Sequence, residues 1–358
     1  MTSKVFFIKA SLDEGPEVIS EKAVKLFKAG KFADCFAEKD YTAVKIHVGE
    51  AGNTTYIKPP CIKGLVGELL KLKAKPFLTD TSTLYGGRRH NAIDHTILAH
   101  EHGFCFEKLG APFIAPDGLF GNAELPVRIN CEMNEEVFIA SDIVNCQSII
   151  SIAHFTGHCE ACAAATIKTL GMGCANRKGK MRQHAVLEFE INNSCQSCGD
   201  CLKHCPADAI TIDQVKAHID QDKCIGCAEC IAVCRFDAVK HKKDVSKEML
   251  QKNIAEHALG AIKDKERKAA FFNYAISITK DCDCFSTPDM KNIVDDIGIL
   301  ASTDPVAVDK AAADMIEAKG RRNLAQLLKN DTLNQSHQFD HAERIGLGST
   351  KYEIVEIE

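Results

Sequence analysis

Two stretches of the chain space their thiols for metal chemistry. From Ser194 it reads SCQSCGDCLKHCPADAITID, and from Lys223 it reads KCIGCAECIAVCRFDAVKHK. Each is C-x2-C-x2-C-x3-C, and Cys224 follows Cys195 by 29 residues, an internal repeat. A cubane takes three closely spaced thiolates from one wrapped segment and a fourth from elsewhere, the last cysteine of each run serving the other cluster. This assigns Cys195, Cys198, Cys201 and Cys234 to one [4Fe-4S] cluster, and Cys224, Cys227, Cys230 and Cys205 to a second. Zinc ribbons would use paired knuckles and give no reason for a third cysteine at x2. Pro206 follows Cys205 as the bacterial pattern has it, but Arg235 follows Cys234, which changes a turn without removing a ligand.

Other thiols leave their roles open. Cys282 and Cys284 are flanked by aspartates and read as an inert buried pair, as site ligands or as a redox-active pair. Cys159 and Cys162 have C-x2-C spacing and could complete a third metal site with them. Cys35, Cys61, Cys105, Cys131 and Cys146 read as small core hydrophobes, and Cys174 as either. The turn Gly86-Gly87-Arg88-Arg89 could cradle an anion at a helix start, although an ordinary loop with solvated arginines is the slightly favoured reading, since no full dinucleotide or P-loop fingerprint is present. The basic run Asn176–Arg182 reads as a solvated loop that could also dock an anionic cofactor or an acidic carrier protein. His184, just beyond it, reads as a packing or solvated residue.

The elements that must position these groups alternate. Strands are expected at Val5–Lys9, Tyr41–Val48, Pro76–Thr79, near Val137–Ile139, and at Ser148–Ala153. Helices are expected over Pro16–Ala29, Ile62–Lys73, Ala92–His102, Ser246–Ile262 and Val306–Ala318. Between Phe272 and Thr279 apolar and small or polar residues alternate, the pattern of a half-buried strand. Short strands at Ala209–Ile212 and His218–Ile219 accompany the cysteine repeat. Such alternation argues for an α/β fold, a sheet flanked by helices, carrying an inserted bacterial-type 2[4Fe-4S] ferredoxin-like module. The expected division is residues 1–187 and 244–358 for the α/β domain and its C-terminal tail, and 188–243 for the module.

Ligands of open α/β sheets gather at the carboxyl ends of the strands. Lys45, His47, Asp80 and His154 fall at such ends, and a fourth strand runs toward Cys282 and Cys284. With Gly87, Arg88 and Lys168 they form the expected cleft: the cations bind phosphate or an anionic ring, and histidine shuttles protons.

At 358 residues with 45% apolar content the chain can bury a large core. Charged residues make up 26% with a net charge of −5, which excludes a general nucleic-acid binder. No apolar run approaches the roughly 20 residues of a membrane span, and the N-terminus does not read as a signal peptide. A soluble, cytoplasmic protein is expected. Its 18 cysteines then suit metal ligation better than disulfides, and an anaerobic host.

The segments HVGEAGNTTYIKPP, KPFLTDTSTLYGGRRHNAIDH and AATIKTLGMGCANRKGK, the cysteine repeat, and DCDCF…DIGILASTDPVAVD together resemble the DUF362 family of iron–sulfur proteins, from about Lys4 to Ala313. The resemblance implies an α/β domain with an inserted two-cluster module and, for some members, a flavin or deazaflavin. Cys159-Glu160-Ala161-Cys162 stands where relatives are Gly-rich, leaving less room for a ligand against the backbone.

These readings converge on an electron-transfer oxidoreductase linking two [4Fe-4S] clusters to a flavin- or deazaflavin-type cofactor or small-molecule substrate in the cleft. Its redox partner would be a ferredoxin or reductase. Two alternatives stand beside it: a non-catalytic carrier that docks a partner enzyme, and a metal-handling protein using the extra cysteines.

Overall fold

The computed structural model describes residues 2–184, 189–205, 207–224, 230, 233, 234, 236, 238–241, 247–284 and 290–358. Its frame is one eight-stranded sheet. The strands are β1 (Ser3–Lys9), β2 (Tyr41–Lys45), β3 (Lys75–Thr79), β4 (Phe113–Ile114), β5 (Ser148–His154), β6 (Ala269–Ala275), β7 (Gly298–Ser302) and β8 (Tyr352–Glu356). Their order is β8-β1-β7-β6-β5-β2-β3-β4. β7 pairs antiparallel with both neighbours and every other pairing is parallel. The carboxyl ends of β2, β3, β5 and β6 therefore lie along one edge, where the cleft is expected.

Seven helices matter for the site and its support: α1 (Pro16–Ala29), α2 (Pro59–Lys71), α3 (Ala92–Glu101), α4 (Thr166–Gly171), α5 (Arg177–His184), α6 (Lys247–Ile262) and α7 (Pro305–Gly320). α1, α2 and α7 open on proline, whose fixed φ suits the first turn and whose missing N–H costs nothing there. Asp304 caps α7, accepting from the N–H groups of Val306 and Ala307 at 2.9 Å each.

Alternate strand residues feed two separate cores. Ile8, Val44, Ile150, Phe272 and Ile299 pack with Ile19, Leu26 and Phe27 of α1 and Ile62 and Leu65 of α2. Ala43, Ile149, Phe271 and Leu300 face the other way, into Ile167 and Leu170 of α4, Ile254 of α6 and Val308 of α7. With both faces covered, the alternation along β6 does not mark a half-buried strand: all its residues are buried. Its polar member, Asn273, donates to Asp309 Oδ1 of α7 at 2.8 Å. Asp309 in turn accepts from the N–H groups of Thr166 and Ile167 at 2.9 and 2.7 Å, tying α4 to α7 and the sheet.

Other differences from the sequence expectation concern pairing. The strand near Val137–Ile139 exists as Glu136–Ala140, but it pairs with Glu124–Arg128 in a separate hairpin. The C-terminal segment includes an edge strand, β8, beside β1. Among the residues around the cysteine repeat, Phe189–Ile191 pairs antiparallel with Val239–His241, and Ile210–Ile212 with Ala217–Ile219. This segment leaves and re-enters side by side and has its own small core of Phe189, Ile191, Ile210, Ala217 and Val239. Among the described residues no helix is long and apolar enough to cross a membrane.

Candidate functional site

A cavity of about 120 Å³ opens at the carboxyl edge of the sheet. Lys45 closes β2, Asp80 follows β3, His154 closes β5, and Cys282, Asp283 and Cys284 lie on the loop after β6; Lys168 of α4 and Lys180 and His184 of α5 complete the wall. Lys45, His47, Asp80, His154 and Lys168, named from sequence, thus line one cavity.

Lys45 Nζ donates to Asp80 Oδ1 at 2.9 Å. Burial pushes the Asp80 carboxyl up, but Lys45, His47, His95 and Arg89 outweigh it and hold the group well below the usual range. His154 is locked on both nitrogens: Nδ1 meets Asp283 Oδ2 at 2.8 Å, and Nε2 meets the Ile276 carbonyl at 2.9 Å. Both partners only accept, so both ring nitrogens carry hydrogen. Burial opposes that charge, but Asp283 and the carbonyls raise the His154 pKa. His154 is therefore a fixed cation, and the expected proton shuttle does not suit it.

Asp283 also orients the two thiols. Its Oδ1 accepts from Thr55 Oγ1 at 3.0 Å, and its carbonyl accepts from the Glu50 N–H at 3.0 Å. With the middle residue pinned, the flanking Cys282 and Cys284 both reach the cavity. The Gly49 N–H donates to His47 Nδ1 at 3.0 Å, and His47 Nε2 lies 3.2 Å from Cys284 Sγ and 3.1 Å from Arg89 Nη1. A hydrogen bond from the Cys282 thiol, with His47, Arg89 and Lys168, overcomes burial and holds Cys284 well below the usual thiol range. The same hydrogen bond, then burial, pushes Cys282 well above it.

Arg88 and Gly87 lie elsewhere. Arg88 turns outward and pairs with Glu101, Nη2 reaching Oε1 at 3.0 Å. The inward arginine is Arg89, whose Nε donates to Glu50 Oε2 at 3.1 Å and whose Nη2 bonds the Tyr85 hydroxyl. Gly87 is a close approach instead of a ligand cradle: an added Cβ would sit 3.1 Å from the Glu50 carboxylate. Glu50 already accepts from the Arg88 N–H at 3.3 Å, so the turn holds the protein's own carboxylate.

Arg89 and Lys180 enter the sequence reading only as members of the Gly86–Arg89 turn and the Asn176–Arg182 run, and Tyr85 does not enter it; all three line the cavity. The basic run is no loop but mostly α5, and it buries Lys180, which bonds Thr81 Oγ1 and the Ala175 carbonyl. Burial lowers its pKa to about 8. Lys168 is only 9% exposed, and burial, which lowers its pKa, is outweighed by the neighbouring Cys282–Cys284 pair, so its pKa is raised. Among the described residues no carboxylate lies within 4 Å of either ammonium. The cavity thus sets two buried ammonium groups beside a Cys284 thiol held below its usual range.

The thiols of the repeat gather in part. Cys195, Cys198, Cys201 and Cys234 line one apolar cavity with Ile191, Ala217 and Val239. Burial, then the neighbouring Cys195, Cys198 and Cys234, raises the Cys201 thiol. Backbone N–H groups already point at these sulfurs: Ser197 and Ala217 donate to Cys195, and Ala238 to Cys234, all at 3.4 Å. Ala209 does the same for Cys205 at 3.3 Å. Cys224 and Cys230 pack in the same small core, while Cys227, Pro206 and Arg235 lie outside the described residues. Cys162 is buried near Glu317 and Gln335, and the described residues hold no group of three metal ligands that joins it or Cys159 to Cys282 and Cys284. Cys35, Cys61, Cys105, Cys146 and Cys174 are buried, whereas Cys131 is half-buried.

The family described as "Domain of unknown function (DUF362)" matches residues 42–314. No curated protein matches the chain.

Proposed function

The chain belongs to the DUF362 family, and from that premise we propose that it is an iron–sulfur electron-transfer protein, an oxidoreductase whose two [4Fe-4S] clusters serve a small anionic substrate in the cleft. The observation that carries this reading is the cavity shared by Cys195, Cys198, Cys201 and Cys234. Three thiols come from the first run and the fourth from the second, the crossed pattern of two-cluster ferredoxins. Backbone N–H groups aimed at the sulfurs would stabilise thiolate charge and tune the potential. Tetrahedral zinc, at about 2.3 Å from each sulfur, would draw its four ligands close together. Among the described residues the one group of three ligand atoms within 4.8 Å is instead His100, Cys105 and Glu107.

When bound, such clusters accept and release one electron each. This chain's own residues supply the rest. Lys168 and Lys180 bind an anion, while His154 holds Asp283, and with it the thiol loop, in place. The described part of the cavity, about 120 Å³, suits a small anion, so the reading puts the substrate first. A ferredoxin or reductase would exchange electrons with the clusters, and the buried thiolate among cations favours this enzyme reading over a mere carrier.

The test is anaerobic purification followed by iron, sulfide and zinc analysis and electron paramagnetic resonance of the reduced protein. About eight irons per chain are expected, falling to about four in Cys234→Ser. Zinc in place of iron, or unchanged iron in that variant, would overturn the assignment.

A further inference from the structure

Cys282 and Cys284 are unlike the other thiols of the α/β domain. They are two residues apart, both line the cavity, and Asp283 between them is anchored to Thr55 and His154. They also sit in different surroundings: Cys282 is 4% exposed, whereas Cys284 is half-buried at the cavity. His47 Nε2 meets the Cys284 sulfur at 3.2 Å, and Arg89 Nη1 lies 3.1 Å from the same ring nitrogen. Lys168 adds a nearly buried ammonium, with no carboxylate within 4 Å among the described residues, facing the same space. A thiolate is the attacking species in thiol–disulfide exchange, and a sheltered protonated neighbour is the resolving one.

We infer that Cys282 and Cys284 form a redox-active dithiol/disulfide couple that reduces small anionic disulfides, with Cys284 attacking, Cys282 resolving and Lys168 binding the substrate's negative charge. The inference rests on the proposed function for its electrons. In the first step the Cys284 thiolate attacks one sulfur of RS–SR. A Cys284–SR bond forms, and RS⁻ leaves. In the second, the Cys282 thiol attacks Cys284 Sγ. The intramolecular disulfide forms, and the second thiol leaves as RSH with the Cys282 proton. Return to the starting state takes two electrons and one proton, giving the Cys282 thiol and the Cys284 thiolate; the reductant is a low-potential one-electron donor of the iron–sulfur class. Stabilising the Cys284 thiolate favours the reduced form and makes the couple more oxidising.

The experiment treats the full-length, anaerobically purified protein with 3,3′-dithiodipropionate, a dianion, or cystamine, a dication, and maps the products by peptide mass spectrometry. Wild type should give a Cys282–Cys284 disulfide, and Cys282→Ser should stop at a mixed disulfide on Cys284. The dianion should react faster than the dication, and Lys168→Met should cut that preference about tenfold, the scale of one charge-assisted hydrogen bond. Free thiols at both positions, first capture on Cys282, or equal rates for the two reagents would overturn the inference. Because wild type itself is mapped, a variant that misfolds does not remove the test. None of these readouts depends on cluster content, so a failed couple with full iron is distinct from a failed cluster assignment.

Discussion

Lys45 and Asp80 end neighbouring parallel strands, and their charged atoms meet at 2.9 Å with both side chains shut away from water. Nζ also donates to the Ile46 carbonyl at 2.6 Å, so the ammonium is held from two sides. Removing one member of such a pair strands the other charge in a low-dielectric interior. Lys45→Met and Asp80→Asn should each destabilise the protein by about 3–5 kcal/mol in denaturant titrations. A loss under about 1 kcal/mol would mean that water reaches the pair.

Neighbouring arginines should behave oppositely. Arg88→Ala removes an exposed, solvent-screened pair with Glu101 and should leave the melting temperature essentially unchanged. Arg89 spreads its three nitrogens over Glu50, Asp80, His47 and Tyr85. Arg89→Lys keeps the charge but loses the fork, so it should cost nearly as much as Arg89→Ala. Comparing melting temperatures of the three variants decides this, and similar values for Arg88→Ala and Arg89→Ala would refute it.

The His154–Asp283 pair gives stability a defined pH window. The His154 pKa is raised in the fold, so its contribution is complete below about 6.5 and is lost as pH rises through the folded value. For Asp283 burial works against ionisation, but His154 lowers the pKa; that contribution is present above about 3.9 and lost as pH falls through the depressed value. The stability difference between wild type and His154→Gln should be largest between about pH 4 and 6.5 and shrink toward pH 9. A difference that grows with alkaline pH would contradict the assigned imidazolium.

On α6, His257 acts in the opposite sense. Burial lowers its pKa to about 4, and Nε2 has no hydrogen-bond partner among the described residues. Between about pH 4 and 6.5 the unfolded chain binds the proton and the folded chain does not, so stability falls as pH falls. The slope from this one group should approach about 1.4 kcal/mol per pH unit. Replacing it with Leu should remove that slope, as read from urea midpoints at pH 5 and 7; an unaltered slope would place the dependence elsewhere.

Gly171 marks the contact of α4 with α6. A Cβ there would lie 2.1 Å from the Ile254 carbonyl oxygen, a backbone atom that cannot swing aside. Gly171→Ala should therefore cost about 1–3 kcal/mol despite alanine's better helix propensity. Thermal unfolding measures the balance, and stabilisation by the substitution would show that the helices separate freely.

The sequence by itself determined the strand ends and the thiol spacing. Lys45, Asp80 and His154 could be placed on one edge because each closes an apolar run, and parallel strands present their carboxyl ends together. The cysteine repeat was legible for a similar reason, since ligand spacing is a local property of the chain. What tertiary structure decided is which side chains turn inward. Arg88 and Arg89 are adjacent and alike in sequence, and only Glu50 and Tyr85, brought from elsewhere, select Arg89. Lys180 sits in a run whose composition reads as solvated, yet an added Cβ at Gly179 would lie 2.2 Å from the Phe138 carbonyl, and that close packing buries its neighbour. Asn273 looked like the exposed half of an alternating strand until α7 covered that face and Asp309 supplied its partner. Local pattern fixes where a group lies along an element; burial and charge pairing depend on residues far away in the chain, and no spacing rule encodes those.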